Sequence, residues 1–193
     1  MKWDTVIQLI LILASALMLF PAGQALQTFS GETVSIDREV GDDVLAAGSM
    51  VSVNAPVDSV IAMGGTVNIN APVKGDVIAA AGQVFVNADV GGKVVAAGGN
   101  VQLGGDIGTN LLAAGGTVNV LPGKTVGRDA LLAGDNVVNA GHVNGTLTVS
   151  ATRFNNTGLA GRVDYHRIEE QSGKKEAEMY KTGFSILGLL SLI

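Results

Sequence analysis

Hydrophobic and polar positions follow the same short pattern seven times between residues 40 and 159. Most copies are 17 residues long, one is a residue shorter and one is two residues longer. A period this short does not hold a helix pair or a propeller blade. It fits one coil of a β-solenoid, in which each coil stacks on its neighbours. The seven predicted coils are residues 40–56, 57–72, 73–89, 90–106, 107–125, 126–142 and 143–159.

Each coil contains two β-type runs separated by glycine. In the first coil these runs are residues 44–47, with sequence VLAA, and residues 51–53, with sequence VSV. Alternation in the second run directs its valines inward and its serine towards water. A leading Val or Ile opens every coil, as at Val40, and supplies a third inward column. Three short faces joined by turns predict an all-β solenoid with triangular coils.

Glycine and asparagine recur at the turns. Glycine follows the first run in five consecutive coils. Because it reaches positive φ without steric cost, we expect it to form a sharp corner there. Asparagine follows the second run in three coils. There it either acts as a turn residue that tolerates the left-handed region or bonds to the next amide along the stack. This turn asparagine column is Asn54, Asn70 and Asn87.

An apolar stripe is expected on the outside of the first run. If Val44 and Ala46 point inward, the residue between them points outward, and it is aliphatic in successive coils. Solvent-facing ladders are normally polar, so a continuous apolar stripe indicates a covered surface. The candidate self-association stripe is Leu45, Ile61, Ile78, Val95 and Leu112, continued with a shifted local pattern by Leu131. Self-association or membrane contact is one interpretation, and burial of the strand by the terminal segments is the other.

The two ends of the chain differ from the repeat. Residues 1–25 have a weakly positive start, an apolar run and small residues after Pro21, which is typical of a signal peptide or an uncleaved anchor. Residues 26–39 are predicted to form a cap strand that begins the solenoid, which continues to residue 170. Residues 171–182 are a polar linker. Residues 183–193 are an apolar stub, interpreted either as the start of a transmembrane helix or as a short capping helix.

Composition excludes several function classes. The net charge of −5 and the lack of a basic stripe argue against nucleic-acid binding. The chain has no cysteine, so no disulfide or thiolate metal site is expected. With few aromatic residues in the repeat, no small-molecule substrate and no cofactor are predicted.

Polar residues of the types used in catalysis and metal binding are scattered along the repeat. Asp43, Asp76 and Asp129 share one turn column, but Lys93 and Asn110 occupy it in other coils, which favours a solvated corner. The neighbouring pair Asp89 and Asp106, and the histidines His142 and His166, are also interpreted as structural or surface residues. No catalytic and no metal-binding residue is predicted.

The repeat resembles the bactofilin family of polymer-forming cytoskeletal proteins. The resemblance covers residues 40 to about 163. It rests on the coil length, on the Val-Gly openings at Val40, Val90 and Val126, and on the Ala-Ala-Gly and Val-x-Val-x-Ala repeats. It implies a right-handed parallel β-helix, of about seven 17-residue coils here, that stacks end to end into filaments without nucleotide. The signal-like start departs from cytoplasmic members and is similar to an exported, membrane-associated branch.

These observations predict a non-catalytic scaffold at the cell envelope. Its expected partners are further copies of itself, and the membrane through the terminal apolar segments. A surface carbohydrate-binding or polysaccharide-cleaving β-helix is the alternative from another class, which would require a carboxylate or aromatic cluster on one face. An acyltransferase-like solenoid is a third, which would require a histidine between subunits.

Overall fold

The computed structural model describes residues 26–169, which fold entirely into β-strands and turns. The ten strands are β1 (Gln27–Ile36), β2 (Val44–Val53), β3 (Val60–Ile69), β4 (Val77–Val86), β5 (Val94–Leu103), β6 (Leu111–Val120), β7 (Thr125–Val126), β8 (Ala130–Asn139), β9 (His142–Asn156) and β10 (Leu159–Arg167).

The strands form one parallel sheet that winds into a β-solenoid. They stack in the order β1-β2-β3-β4-β5-β6-β8-β9-β10, and β7 pairs with β9. Equivalent residues of successive coils are direct partners, so Val44 pairs with Val60 and Val60 with Val77. The solenoid has about eight turns of about 17 residues. The predicted parallel β-solenoid is therefore confirmed. Its length exceeds the seven repeats because β1 pairs with β2 along its whole length.

The two predicted runs of each coil join into one strand. β2, for example, is ten residues long and passes through Gly48 without interruption. The third face is held instead by isolated single-residue bridges, such as Val40 with Val57 and Val90 with Ile107. The leading aliphatic residues therefore form the third inward column that their spacing predicts.

The expected conformation of the recurring glycines and asparagines is wrong. Among residues 26–169 the only positive φ belongs to Gly123, at 73°. It follows Pro122 in a turn that holds the additional residues of the longest repeat, as a type II turn requires. The recurring glycines allow the backbones of successive coils to approach closely, since a Cβ on Gly64 would collide with the carbonyl oxygen of Gly48 in the preceding coil. Ala81 occupies the same column, so this close approach requires glycine in most coils and not in every one.

The core is a set of inward columns filled by Val, Ala, Ile and Leu. One exchange shows how the layers keep their volume. Leu111 and Ala113 in β6 are stacked on Ala130 and Leu132 in β8, so the large and small residues change columns together. All four are buried. Swaps that conserve total volume are the ones that a packed core tolerates best.

One inward column becomes polar near the C-terminal end. It runs through aliphatic residues as far as Val120 and then reaches Asn139, which is fully buried. The Asn139 amide donates to Asn156 Oδ1 at 2.9 Å, and its own Oδ1 has no hydrogen-bond partner in the described chain. A buried, unpaired amide oxygen destabilises a fold.

Replacing this residue tests that cost. We expect Asn139→Val to raise the free energy of unfolding by about 1–3 kcal/mol, because the unpaired oxygen is removed and Asn156 remains exposed to water. The matched control is Val120→Asn one coil earlier, which should lower it. Denaturant unfolding followed by circular dichroism measures both. A destabilised Asn139→Val would mean that the bond to Asn156 outweighs the unpaired oxygen.

Candidate assembly surfaces

The predicted apolar stripe is a continuous column on the outside of the solenoid. Its members are direct partners across successive strands, and Leu131 joins in the same register, without the shift expected from its sequence. Ile78 is 42% exposed and Leu131 48% exposed, whereas Leu45 and Val95 are half-buried. The full column is Leu45, Ile61, Ile78, Val95, Leu112 and Leu131.

A second apolar column runs beside the stripe. It lies two residues further along each strand and consists of small side chains, with one methionine. Its members are Ala47, Met63, Ala80, Ala97, Ala114 and Ala133. We call these two columns together the apolar face. Sequence reasoning noticed only the first, because alanine is as common in cores as on surfaces, although its fixed offset from the stripe was a usable signal.

The apolar face has sharp polar limits. In the coil before it, the two columns continue as Thr28 and Ser30. In the coil after it, they continue as Thr148 and Ser150. No residue of the two columns carries a charge over these six coils. An uncharged apolar area with a polar rim is the usual anatomy of a protein interface.

Within residues 26–169, the last strand of the solenoid leaves core columns partly exposed. Val163 continues the column of Leu147, and Tyr165 that of Val149. The residues below them are fully buried, but Val163 is 42% and Tyr165 40% exposed. The Tyr165 hydroxyl donates to the Ala151 carbonyl of the preceding coil at 3.0 Å. The Tyr165 ring also packs against Phe154, with ring centroids 5.2 Å apart.

The N-terminal end is more polar. β1 presents Glu32 at its bend, and the following turn presents Asp37 and Glu39. A cleft of about 450 Å³ opens here, with Phe29 and Ile36 among its lining residues. The two ends therefore differ in both polarity and charge.

The turn asparagines form a hydrogen-bonded ladder along the stack. Asn87 Nδ2 donates to Asn70 Oδ1 at 2.9 Å, and Asn70 Nδ2 donates to Asn54 Oδ1 at 2.9 Å. Asn54 Nδ2 in turn donates to Asp37 Oδ1 at 2.9 Å and to Ser35 Oγ at 3.0 Å. The Asn54 amide is the largest cause of the lowered pKa of Asp37, and the Ser35 hydroxyl, which donates to Asp37 Oδ1 at 2.9 Å, adds to it.

Aspartates in the turns accept backbone N–H groups from the next coil. Asp89 Oδ1 accepts from Asp106 N at 2.9 Å, and Asp106 Oδ1 accepts from Thr125 N at 2.7 Å. Earlier coils place Pro56 and Pro72 in this column, and proline has no N–H to satisfy. Each carboxylate thus accepts a backbone N–H that a proline at the next position of the column would not have. This is a structural role.

In the predicted turn column of Asp43, Asp76 and Asp129, the second and third aspartates behave in the same way. Asp129 Oδ1 accepts from Thr146 N at 2.7 Å, and Asp76 Oδ1 accepts from Lys93 N at 2.9 Å. The Lys93 N–H is the main reason why the pKa of Asp76 is lowered, and the Lys93 ammonium, 3.2 Å away, adds to it. Asn110 stands in the same column and its Oδ1 accepts from Asp129 N, so a neutral amide can do the same work.

The remaining predictions concern metal binding, membrane-spanning helices and the two ends of the chain. Within residues 26–169 no three His, Cys, Asp or Glu side chains cluster as a metal ion would need. Over the same residues there is no helix of the length and hydropathy that a membrane span requires. The predicted signal segment (1–25), the linker (171–182) and the apolar stub (183–193) lie outside the described residues.

Comparison of the chain with protein-family models, with curated proteins and with solved structures finds no match in any of the three. The function is therefore argued from the surfaces of the solenoid.

The asparagine ladder can be tested by deleting its middle member. We expect Asn70→Ala to lower the free energy of unfolding by about 1–2 kcal/mol, because two amide hydrogen bonds are lost. Asn68→Ala is the matched control, since Asn68 lies in the same coil outside the ladder and should change stability by less than about 0.5 kcal/mol. Thermal unfolding of both variants measures the difference. Equal effects would show that the ladder adds nothing beyond a turn.

Acid should weaken the fold through Asp76. A carboxyl whose pKa is lower in the folded chain than its ordinary value of 3.8 stabilises the fold above that value. The stabilisation is lost as the pH falls through the lowered pKa. We expect Asp76→Asn to lose less thermal stability than the natural chain between about pH 6 and about pH 3, because the amide still accepts from Lys93 N.

The control for this measurement is Asp135→Asn, at an exposed position on β8. It should keep the full acid sensitivity of the natural chain. If Asp76→Asn is as acid-sensitive as the control, the Asp76 carboxylate is not a source of the pH dependence.

Proposed function

We propose that this chain is a non-catalytic structural scaffold that assembles with copies of itself, as the resemblance to bactofilins implies. Assembly joins solenoids end to end, so that the last coil of one copy is covered by the first coil of another. The scaffold acts at the cell envelope, to which residues 1–25 direct it. The proposal extends the parallel stacking within one chain to stacking between chains.

The uncovered core columns at the C-terminal end carry this proposal. Terminal repeats of a solenoid normally present a polar outer face, which keeps the array soluble and finite. Here Val163 and Tyr165 occupy inward columns but remain about two-fifths exposed, and Ile168 is 48% exposed. The strand β10 also ends the hydrogen-bonded order of the described sheet. A further parallel strand from another copy would cover these side chains and pair this edge.

Charge favours contact between unlike ends. The N-terminal end carries Glu32, Asp37 and Glu39 against the single cation Arg38. At the C-terminal end, counting only the described residues up to 169, Arg162 is paired with Asp164 at 2.7 Å, which leaves Arg153 and Arg167 against Glu169. Opposite charges orient association and disfavour contact between like ends. The supported arrangement is head to tail.

The turn carboxylates support a structural role. Asp76, Asp89, Asp106 and Asp129 each hold a backbone N–H of the next coil. A general acid or base must be free to reach a substrate proton, and these side chains are already engaged with the backbone. They fasten coils together, which suits a rod that bears load along its axis.

Electron microscopy of the full chain tests end-to-end assembly. After purification in detergent and its removal, the natural chain should form filaments without added nucleotide. The double variant Val163→Lys and Tyr165→Lys should give single rods, because two buried charges in each junction are too costly. A change of His166→Lys is the matched control, because His166 lies on the same strand at an outward position.

Two results would contradict the proposal. One is the absence of filaments from the natural chain at every concentration. The other is unchanged filaments in the Val163 and Tyr165 double variant, which would mean that the uncovered core columns are not the junction.

A further inference from the structure

The apolar face lies on the side of the rod and is not used by end-to-end stacking. It spans six coils, which is about 29 Å at about 4.8 Å per layer. Its exposed members include Ile78 and Leu112, at 42% and 38% of their full surface. A solvent-facing parallel sheet with two uncharged apolar columns is a face that needs a partner.

The relief of the face indicates what kind of partner fits. The column through Ile78 consists of branched aliphatic side chains and forms a ridge. The column through Ala80 is almost all alanine and forms a groove beside it. Ridge and groove run parallel to the solenoid axis, two residues apart on each strand. A matching surface therefore needs a ridge and a groove at the same spacing, and a second copy of this face has both.

We propose that two copies dock through their apolar faces with solenoid axes parallel, related by a two-fold axis along the rod. In this arrangement the ridge of each copy lies in the groove of the other, so that Ile78 contacts the partner around Ala80. Met63 is the exception, because it meets Ile61 of the second copy, and its unbranched side chain adapts. This inference rests on the proposed self-assembly and adds a lateral contact to it.

The antiparallel alternative packs less well. A two-fold axis along the strands would place ridge on ridge and groove on groove. The two aliphatic columns would then hold the two alanine columns apart, and the alanine side chains would lose van der Waals contacts across the gap. The polar limits of the face superimpose in both arrangements, so only the relief distinguishes them. It favours the parallel pair.

The area of the face explains why this contact needs the filament. About 29 Å by about 16 Å of flat sheet, roughly 450 Å² per copy, lies at the low end of specific interfaces. One pair of solenoids would therefore associate weakly. Along a filament the same contact repeats at every copy, and linked contacts add their effects. Lateral pairing should accordingly produce paired filaments rather than free dimers at low concentration.

Cysteine cross-linking tests the orientation, because the natural chain has no cysteine. We choose Met63→Cys and Ala114→Cys, which lie in the groove column three coils apart, about 14 Å. The full chain is treated with a short bis-maleimide in the lysate of the expressing cells, before detergent is added. Each variant alone should form a covalent dimer. Differently tagged Met63→Cys and Ala114→Cys chains, expressed together, should not cross-link to each other.

Every other outcome overturns the inference. Cross-linking only between the two different variants would establish the antiparallel pair. Cysteines that are neither cross-linked nor protected from a bulky maleimide would show a bare face. Cysteines that are protected but not cross-linked would show that a lipid surface, or another part of the chain, covers the face instead.

Filling the groove gives a second, independent test. The double variant Ala80→Leu and Ala97→Leu, combined with Met63→Cys, should reduce the covalent dimer about tenfold, because the partner ridge no longer fits. Gln102→Leu adds the same kind of side chain on the same strand, at an outward position beyond Gly98 and Gly99 and outside the apolar face, and should leave the dimer unchanged. An undiminished dimer in the groove-filled chain would overturn ridge-in-groove packing. An increased dimer would favour the antiparallel pair.

The two levels of assembly can fail separately. Filaments in the microscope without cross-linking of Met63→Cys would leave end-to-end stacking intact and remove the lateral contact. Cross-linked dimers without filaments would support the lateral contact and contradict end-to-end stacking.

Discussion

In-register parallel stacking is the constraint on which the rest of the structure depends. Each residue lies directly over its counterpart in the next coil, at about 4.8 Å, so every position must be compatible with a copy of itself. Valine over valine packs, and amide over amide forms a hydrogen bond, as from Asn70 Nδ2 to Asn54 Oδ1. Glycine over glycine allows close approach of backbones. A single rule therefore selects the residue type of the core, the ladder and the bends.

Charged residues satisfy the same constraint because like charges of one column are separated by neutral or oppositely charged residues. In the turn column of Asp43, no two aspartates are consecutive, because Ser59, Lys93 or Asn110 separates them. The column of Pro56 and Pro72 does place two aspartates in succession, Asp89 and Asp106, and there each carboxylate accepts an N–H from the following coil. Hydrogen bonding to the charged form offsets the repulsion that stacking would otherwise cause.

The repeat period was sufficient to predict the fold, because position within the period determines which way a side chain points. The inward columns and the stripe from Leu45 to Leu112 follow from that alone. The reason for the recurring glycines could not be predicted from the repeat period. At Gly64 a Cβ would collide with a carbonyl oxygen of another coil, and this contact is visible only in three dimensions. Asn139 was missed because a polar residue in a decaying repeat resembles a surface position, whereas here it is fully buried. The groove of the apolar face was overlooked because alanine is ambiguous.

The turn at Gly123 shows how the rod accommodates a repeat that is longer than the others. The longest repeat places its additional residues there, while Leu111 and Ala130 remain partners and every column continues in register. The additional residues are thus placed in a corner, and the register of the columns is unchanged. The length of the molecule, by contrast, changes only in whole layers of about 4.8 Å. The number of coils therefore fixes the length of such a rod in discrete steps, and the length of the loops between coils has no effect on it.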